Sequence, residues 1–488
     1  MLYDLACCVT VLSHFPTLRG VTVALLKCYV GLGSSIIGCI RLGLFPVPQN
    51  FFYFLFAYAL FAGGLIIAFI RLPRYHMTGY QLRHSTVEEQ EERAAAKAPY
   101  LHQKPERWRI IVGYVIIVLF IIFLPTQSAV INYKGLSKQV KYTRSFAIVT
   151  IVLLACNVLM FVPIPCLKKP VQDENEPTTR PEEEEMPAVA DTEPVQYDES
   201  GGIMKGLPVP YKEDNADVIP EDVPAAKETV VDFMAPQYQT SFRQNLLTLR
   251  LWCMFWTLFC LGGAEFTVIS NPSYIYSAMA KHPTELSMRT LLSVLNGVGS
   301  AVGRLLMAAF EHLSQHRPPE KRIPITWAPF LPISLMTISL ILFLTCPAAV
   351  TPLPIVFTAL ANGAQASHTV LVPRVIFAKD PARHYNFCFV ASALTAFVCL
   401  PFLWGMWYNK RAAETGGSNG YCFDRSCIMM PMGVLLGLVV SACFSSIYLH
   451  IHYIRYCKKV LKERRELNGQ GSESNEEIVV PEDLRSIG

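Results

Sequence analysis

Long apolar runs alternate with polar connections along this chain, and the length of the runs decides its class. Eleven separated apolar stretches occur, ten of them long enough to cross a bilayer. A spanning helix needs about 20 apolar residues, because the hydrocarbon core is about 30 Å thick and a helix rises about 1.5 Å per residue. The pattern predicts helices over Thr22–Leu42, Phe51–Ile70, Ile110–Ser128, Ser145–Pro163 and Leu249–Ile269. Five more follow over Arg289–Phe310, Trp327–Pro347, Leu353–Phe377, Asn386–Tyr408 and Met429–Ile451. One or two such stretches fit buried helices of a soluble protein. Ten predict an all-α, multi-pass membrane protein whose surroundings are the lipid bilayer. The eleventh stretch, Met1–Phe15, is too short to span and carries Asp4 with no basic region before it. It reads as the second half of a helix, not as a signal peptide.

The polar connections divide the chain. Residues 164–248 form the main linker, and between Asp173 and Glu199 it carries eleven carboxylates against one arginine, interleaved with proline. Such a segment buries too little apolar surface to offset its chain entropy, so disorder is expected there. It separates a helical lobe over residues 1–163, which includes a helix pair at 110–163, from a six-helix lobe over 249–451. A basic-then-acidic tail over 452–488 follows, expected to be disordered after Glu466. Alternate loops differ in basic residues, about 23 near the membrane in one set against about 8 in the other. The richer set, with the linker and the C-terminus, is expected in the cytoplasm. The loop Tyr133–Arg144 is locally basic on the opposite side.

Composition narrows the function. Hydrophobic residues make up 52% of the 488 and charged residues only 16%, and the net charge of +4 gives nucleic-acid binding no support. Most of the 15 cysteines lie inside apolar spans, where they read as small packing groups. No CxxC pair and no zinc-type His/Cys spacing occurs, so neither a metal nor another cofactor is expected. The phosphate-cradling GxxxxGK[ST] and the HExxH pattern are missing too, which argues against a pump driven by ATP and against a membrane zinc hydrolase. The one Asn-x-Ser/Thr match, Asn271-Pro272-Ser273, is blocked by its proline.

The most specific local pattern is NGVGSAVGRLLMAAFEH, Asn296–His312. Gly297, Gly299, Ser300 and Gly303 are small residues that let helices approach closely in lipid. Arg304 then stands inside an apolar helix, where an arginine is normally paired or faces a wet cavity, and Glu311 follows one to two turns later. Here the chain resembles the major facilitator superfamily, whose members carry a Gly-rich, Arg/Asp-bearing element at the cytoplasmic end of the second helix of each half. The resemblance implies that Gly303, Arg304 and Glu311 form a conformational latch, with Glu311 where aspartate is usual. HFPTLRGVTVALLKCYVGLGSSIIG (His14–Gly38), LLTLRLWCMFWTLFCLGGAEFTVISNPSYI (Leu246–Ile275) and GYCFDRSC (Gly420–Cys427) resemble segments of the nodulin-like branch of that superfamily. On this alignment the first three helices of the first half are absent, and either a late-starting gene model or a genuinely shortened protein accounts for it.

Polar residues inside spans are the functional candidates. Glu265 lies in the first helix of the second lobe beside the helix-weakening pair Gly262-Gly263. Asn362, Gln365 and His368 fall in ANGAQASH of the fourth, where spacings of three place neighbours on one face. The superfamily resemblance implies that all four line a central cavity. There a carboxylate could bind a cation or relay a proton, and His368 could titrate near neutral pH. Interhelical hydrogen bonding is the plainer role for the amides. Cys422 and Cys427 flank four residues in a loop expected on the non-cytoplasmic side, where an oxidising compartment permits a disulfide.

The sequence thus predicts a secondary active transporter of a small polar or anionic solute, working by alternating access and coupled to a proton or cation, and not an enzyme. A non-transporting membrane remnant or partner-binding subunit is the alternative. A channel fits less well, because two dissimilar lobes do not suggest a repeated ring around a pore.

Overall fold

A computed structural model describes residues 19–45, 47–73, 106–161, 236–315, 323–379, 381–417 and 420–476, with isolated positions among residues 7–15 and 75–100. The acidic segment Asp173–Glu199, expected to be disordered, lies outside the described residues, as does most of Met1–Phe15. Among the described residues ten helices are long and apolar enough to cross a membrane, and each overlaps one predicted span. The protein is an all-α, multi-pass membrane protein. Its one β-type contact among the described residues is an isolated bridge between Tyr238 and Phe377.

The helices are α1 (Arg19–Leu44), α2 (Pro48–Phe69), α3 (Arg107–Tyr133) and α4 (Val140–Ala155, continued by a 3-10 turn to Phe161). After the linker come the short α5 (Phe242–Leu246), α6 (Leu249–Ser270), α7 (Pro272–Ala280) and α8 (Leu286–Gln315). Then follow α9 (Phe330–Thr345), α10 (Pro352–Ile376), α11 (Pro381–Val398, continued to Glu414) and α12 (Ser426–Glu476). Local chemistry sets several boundaries. The turn from α3 to α4 passes through Gly135 at φ 65°, a left-handed conformation that costs glycine little. Pro272 ends α6 and opens α7, while Asn271 Nδ2 donates to the Thr267 carbonyl at 2.9 Å and closes the last turn. Inside α11, Pro401 lies within a π-helical stretch, Cys399–Gly405, the local widening expected where a proline removes a backbone donor.

α1, α3 and α4 pack on one another, and α6 with α9–α12 form a second group; α8 is shared, lying between α1 on one side and α10 on the other. Glycine makes both contacts possible. A Cβ on Gly363 of α10 would run into the Ser300 carbonyl of α8, and one on Gly303 would run into the Leu360 carbonyl. On the opposite side, a Cβ on Gly31 of α1 would lie 2.9 Å from the Ala301 amide nitrogen. The stretch Asn296–His312 is therefore a two-sided packing rail, a form that suits a membrane, where association rests on close van der Waals fit.

At the end of the second group where the linker enters, residues 236–248 form a strap. Tyr238 donates its amide to the Ile376 carbonyl at 2.8 Å and accepts from the Ala378 amide at 3.0 Å. Tyr453 Oη donates to the Pro236 carbonyl at 3.0 Å, and Tyr456 Oη to the Gln237 carbonyl at 2.6 Å. The Arg250 guanidinium lies 3.9 Å over the Tyr238 ring and donates to Asn245 Oδ1 at 2.7 Å. Asn245 Nδ2 is 3.0 Å from His384 Nε2, and the His384 ring stacks on Phe377 at 3.9 Å. Cation–π contact and charge-assisted hydrogen bonds thus tie the start of α6 to the ends of α10, α11 and α12.

α12 differs from expectation. It stays helical to Glu476, past Glu466, where the sequence suggested disorder. Leu461–Leu467 is built of strong helix formers, and extending an anchored helix avoids the cost of nucleation.

Candidate functional site

Four helices meet at Glu265. α6 runs unbroken through Gly262-Gly263, so the pair does not weaken the helix as its sequence suggests. It serves proximity instead. A Cβ on Gly262 would stand 3.2 Å from Thr395 Oγ1 of α11, and one on Gly263 would stand 2.8 Å from Cys399 Sγ. With no side chain at either position, α6 seats against α10 and α11 and carries Glu265 into the interior, where it is 2% exposed.

The carboxylate is held by amides. Asn362 Nδ2 donates to Glu265 Oε2 at 3.2 Å. Gln365, with its amide oriented as its neighbours require, donates to Oε1 at 2.6 Å and Oε2 at 3.1 Å while its oxygen accepts from the Gly262 amide at 3.3 Å. Asn362 is itself oriented by Ser300 Oγ of α8, which donates to its Oδ1 at 2.9 Å. Ser300, Asn362, Gln365 and Glu265 form one hydrogen-bonded unit spanning α8, α10 and α6. Each hydrogen bond to a buried charge is worth about 1.5–3 kcal/mol, and a carboxylate without them would be costly in lipid.

The structure therefore brings together three of the four residues singled out in the sequence. His368 is buried on the same helix, 1% exposed, but makes no hydrogen bond to the carboxylate, and its Nδ1 has no hydrogen-bond partner. Glu265, Gln365 and Ser300 are buried, and Asn362 is half-buried. An apolar cavity of about 450 Å³ lies elsewhere, between Met307, Phe310, Trp327 and Leu331, and shares no lining residue with it. Arg304, half-buried on α8, is near enough to act electrostatically on Glu265. Gly303 seats α8 against Leu360, Gly363 and Ala364 of α10, and Glu311 lies half-buried two turns beyond. Ser300, read from sequence only as a small packing residue, turns out to be the outer donor of the unit. Its signal was a hydroxyl four residues before an intramembrane arginine. Thr395 gave none, because one threonine in an apolar span has no distinguishing pattern.

At the far end from the strap, Cys422 and Cys427 are joined in a disulfide with a Cα–Cα distance of 6.6 Å. Both are buried, and the Cys422 amide donates to Tyr408 Oη at 2.9 Å, fastening the loop to α11. Among the described residues no group of three or more His, Cys, Asp or Glu side chains is arranged to hold a metal ion.

No protein-family model matches the chain, and no curated protein sequence matches it. Solved structures resemble it at low sequence identity. The E. coli fucose:proton symporter is 11% identical over 91% of this chain and 96% of that one, with a TM-score of 0.31. A bacterial homologue of the human lysosomal transporter Spinster, in an inward-facing, occupied conformation, is 12% identical over 94% of this chain and 90% of that one, with a TM-score of 0.30. The same homologue in its unoccupied conformation is 13% identical over 94% and 98%, with a TM-score of 0.31. Agreement at this level fixes neither family nor activity, so the functional reading rests on the residues of the chain itself.

Proposed function

We propose that this protein is a secondary active transporter of a small polar or anionic solute, of the nodulin-like type within the major facilitator superfamily. The observation that carries the reading is the Glu265 carboxylate, buried within a membrane span and bracketed by Asn362 and Gln365 from a second helix. An intramembrane ionisable group is retained at high cost and marks an ion or substrate pathway.

In this reading Glu265 exchanges a proton or cation as the lobes rock about the shared helix α8, and the amides follow its charge state. With Glu265 ionised, Gln365 and Asn362 both donate to it. Once Glu265 is protonated, its O–H requires an acceptor, and the Gln365 amide turned end for end presents its oxygen. The amide thereby links the charge on α6 to the position of α10. Arg304 and Glu311, with Gly303, serve as the latch on the linker side, which is the cytoplasmic side by the distribution of basic residues. His368 lines the far part of the same path.

The test is solute uptake by the purified protein in proteoliposomes, using a panel of labelled monosaccharides and monocarboxylates under an inward proton gradient. Saturable uptake that collapses with a protonophore supports transport. Non-saturating conductance points to a channel, and the absence of flux from protein shown to be folded points to a non-transporting membrane component.

A further inference from the structure

We infer that the acidic segment of the linker, Asp173–Glu199, docks on the basic face that α12 presents just beyond the strap. Arg455, Lys458, Lys459 and Lys462 are all exposed there, and their spacing of three to four residues places them along one side of the helix. From Arg455 to Arg465 the sequence holds six basic residues and a single acidic one, Glu463. The strap decides where the other partner is held. Its anchors are Tyr453 and Tyr456 of α12, which bond to the backbone of Pro236 and Gln237, so the linker ends close to the level of the basic row along α12, on the opposite, buried side of the helix. From Tyr456 to Lys462 the helix rises only about 9 Å.

Residues 200–235 put 36 positions of chain between the acidic segment and the strap, enough length to cover that distance several times over. Because the acidic segment and the basic face belong to one chain, their encounter is intramolecular and its effective concentration is set by that length. One exposed ion pair contributes little, about 0–1 kcal/mol, but eleven carboxylates facing a basic row offer many at once. The contact would be multivalent and salt-sensitive, since charges at a surface are screened over about 8 Å at physiological ionic strength. Anionic lipid headgroups share the carboxylates' attraction to a basic helix near a membrane. The tether favours the linker, because it delivers the acidic segment to this face whatever the lipid composition. This inference does not rest on transport.

The full-length protein in phosphatidylcholine nanodiscs, treated with a carbodiimide that joins carboxylates directly to lysine amines, provides the test by mass spectrometry. Lys134 supplies the background, because it follows Tyr133, which is near Tyr276 of α7 at the end away from the strap. Coupling of residues 173–199 to Lys458, Lys459 or Lys462 is expected at least fivefold above coupling to Lys134. It should fall by a similar factor in 0.5 M NaCl. The triple variant Arg455→Gln, Arg464→Gln, Arg465→Gln keeps every reactive amine but removes charge, and it should lower coupling severalfold. Coupling no greater than that of Lys134, or indifferent to salt and to the arginine variant, overturns the proposal. Nanodiscs containing phosphatidylserine separate the two anions. Coupling present in phosphatidylcholine and reduced by phosphatidylserine supports the linker as occupant. Coupling absent in both, with the basic face shielded from amine labelling only by phosphatidylserine, overturns it in favour of lipid.

Discussion

Asn362 on α10 donates to Glu265 on α6 across 3.2 Å, and Ser300 on α8 fixes the direction of that donation by occupying the amide oxygen. A hydrogen bond that would otherwise rotate freely is thereby given one sense. Asn362→Leu removes the donor and leaves Ser300 without its acceptor, so folding stability should drop by about 1–3 kcal/mol. Ser300→Ala frees the amide without removing it, and a loss below about 1 kcal/mol is expected. Reversible unfolding of the two variants in mixed micelles measures both, and the order of the effects is the test.

The contact between α8 and α10 depends on the absence of side chains at Gly303 and Gly363. Gly363→Val forces the helices apart and should cost at least about 1–3 kcal/mol, the usual range for overpacking. Gly433→Ala and Gly437→Ala on α12, where nothing lies within 4 Å of an added Cβ, should not lower the melting temperature and should raise it slightly, because alanine favours the helix over glycine. A thermal-shift series in detergent compares the three.

How much of this was legible beforehand follows from the physics of each feature. The ten spans were, because the bilayer imposes a length on each apolar run that a short sequence window detects. Glu265, Asn362 and Gln365 stood out because amides and carboxylates are rare inside such runs. The part played by Ser300 was hidden, since it depends on which face of α8 meets α10. The glycines at 262 and 263 misled for a related reason. Their propensity cost is local and visible, whereas the packing against Thr395 and Cys399 that offsets it comes from residues more than a hundred positions away. The strap was hidden as well: Tyr238, Arg250, His384 and Tyr453 are scattered along the chain and meet only after folding.

Cys422 and Cys427 close a loop of sequence separation 5, and a short closure of this kind is worth about 2 kcal/mol in the chain-entropy picture. Thiol counting in denaturant should show two more reactive cysteines after reduction than before. Cys422→Ser should lower the melting temperature under oxidising conditions and make no difference once the parent protein is reduced.

Asp424 sits in the same loop, and hydrogen bonds from the Ser426 hydroxyl and amide hold its carboxyl below the ordinary aspartate range. The native state therefore binds this proton less readily than the unfolded chain does. The stabilisation is complete above the ordinary range near pH 4 and disappears as pH falls below it. Asp424→Asn should therefore lower stability near neutral pH and converge on the parent as pH falls below the ordinary aspartate range, which flattens the acid limb of the stability–pH curve. Circular dichroism melts between pH 3 and pH 7 give the comparison.

Arg250 joins the strap to the helices by lying over Tyr238 and bonding Asn245. Lysine cannot reproduce a stacked, forked contact. Arg250→Lys should raise amide exchange across residues 236–248 by an order of magnitude while α1–α4 keep their protection, as read by hydrogen–deuterium exchange.

The central claim is that Glu265 carries the coupling charge, and the most direct measurement separates net uptake from exchange in proteoliposomes containing Glu265→Gln. An ionisable coupling group is needed to drive net, gradient-dependent uptake but not to swap labelled for unlabelled solute. The variant should lose proton-driven accumulation and keep solute exchange. Accumulation at the parent rate in Glu265→Gln would contradict the central claim.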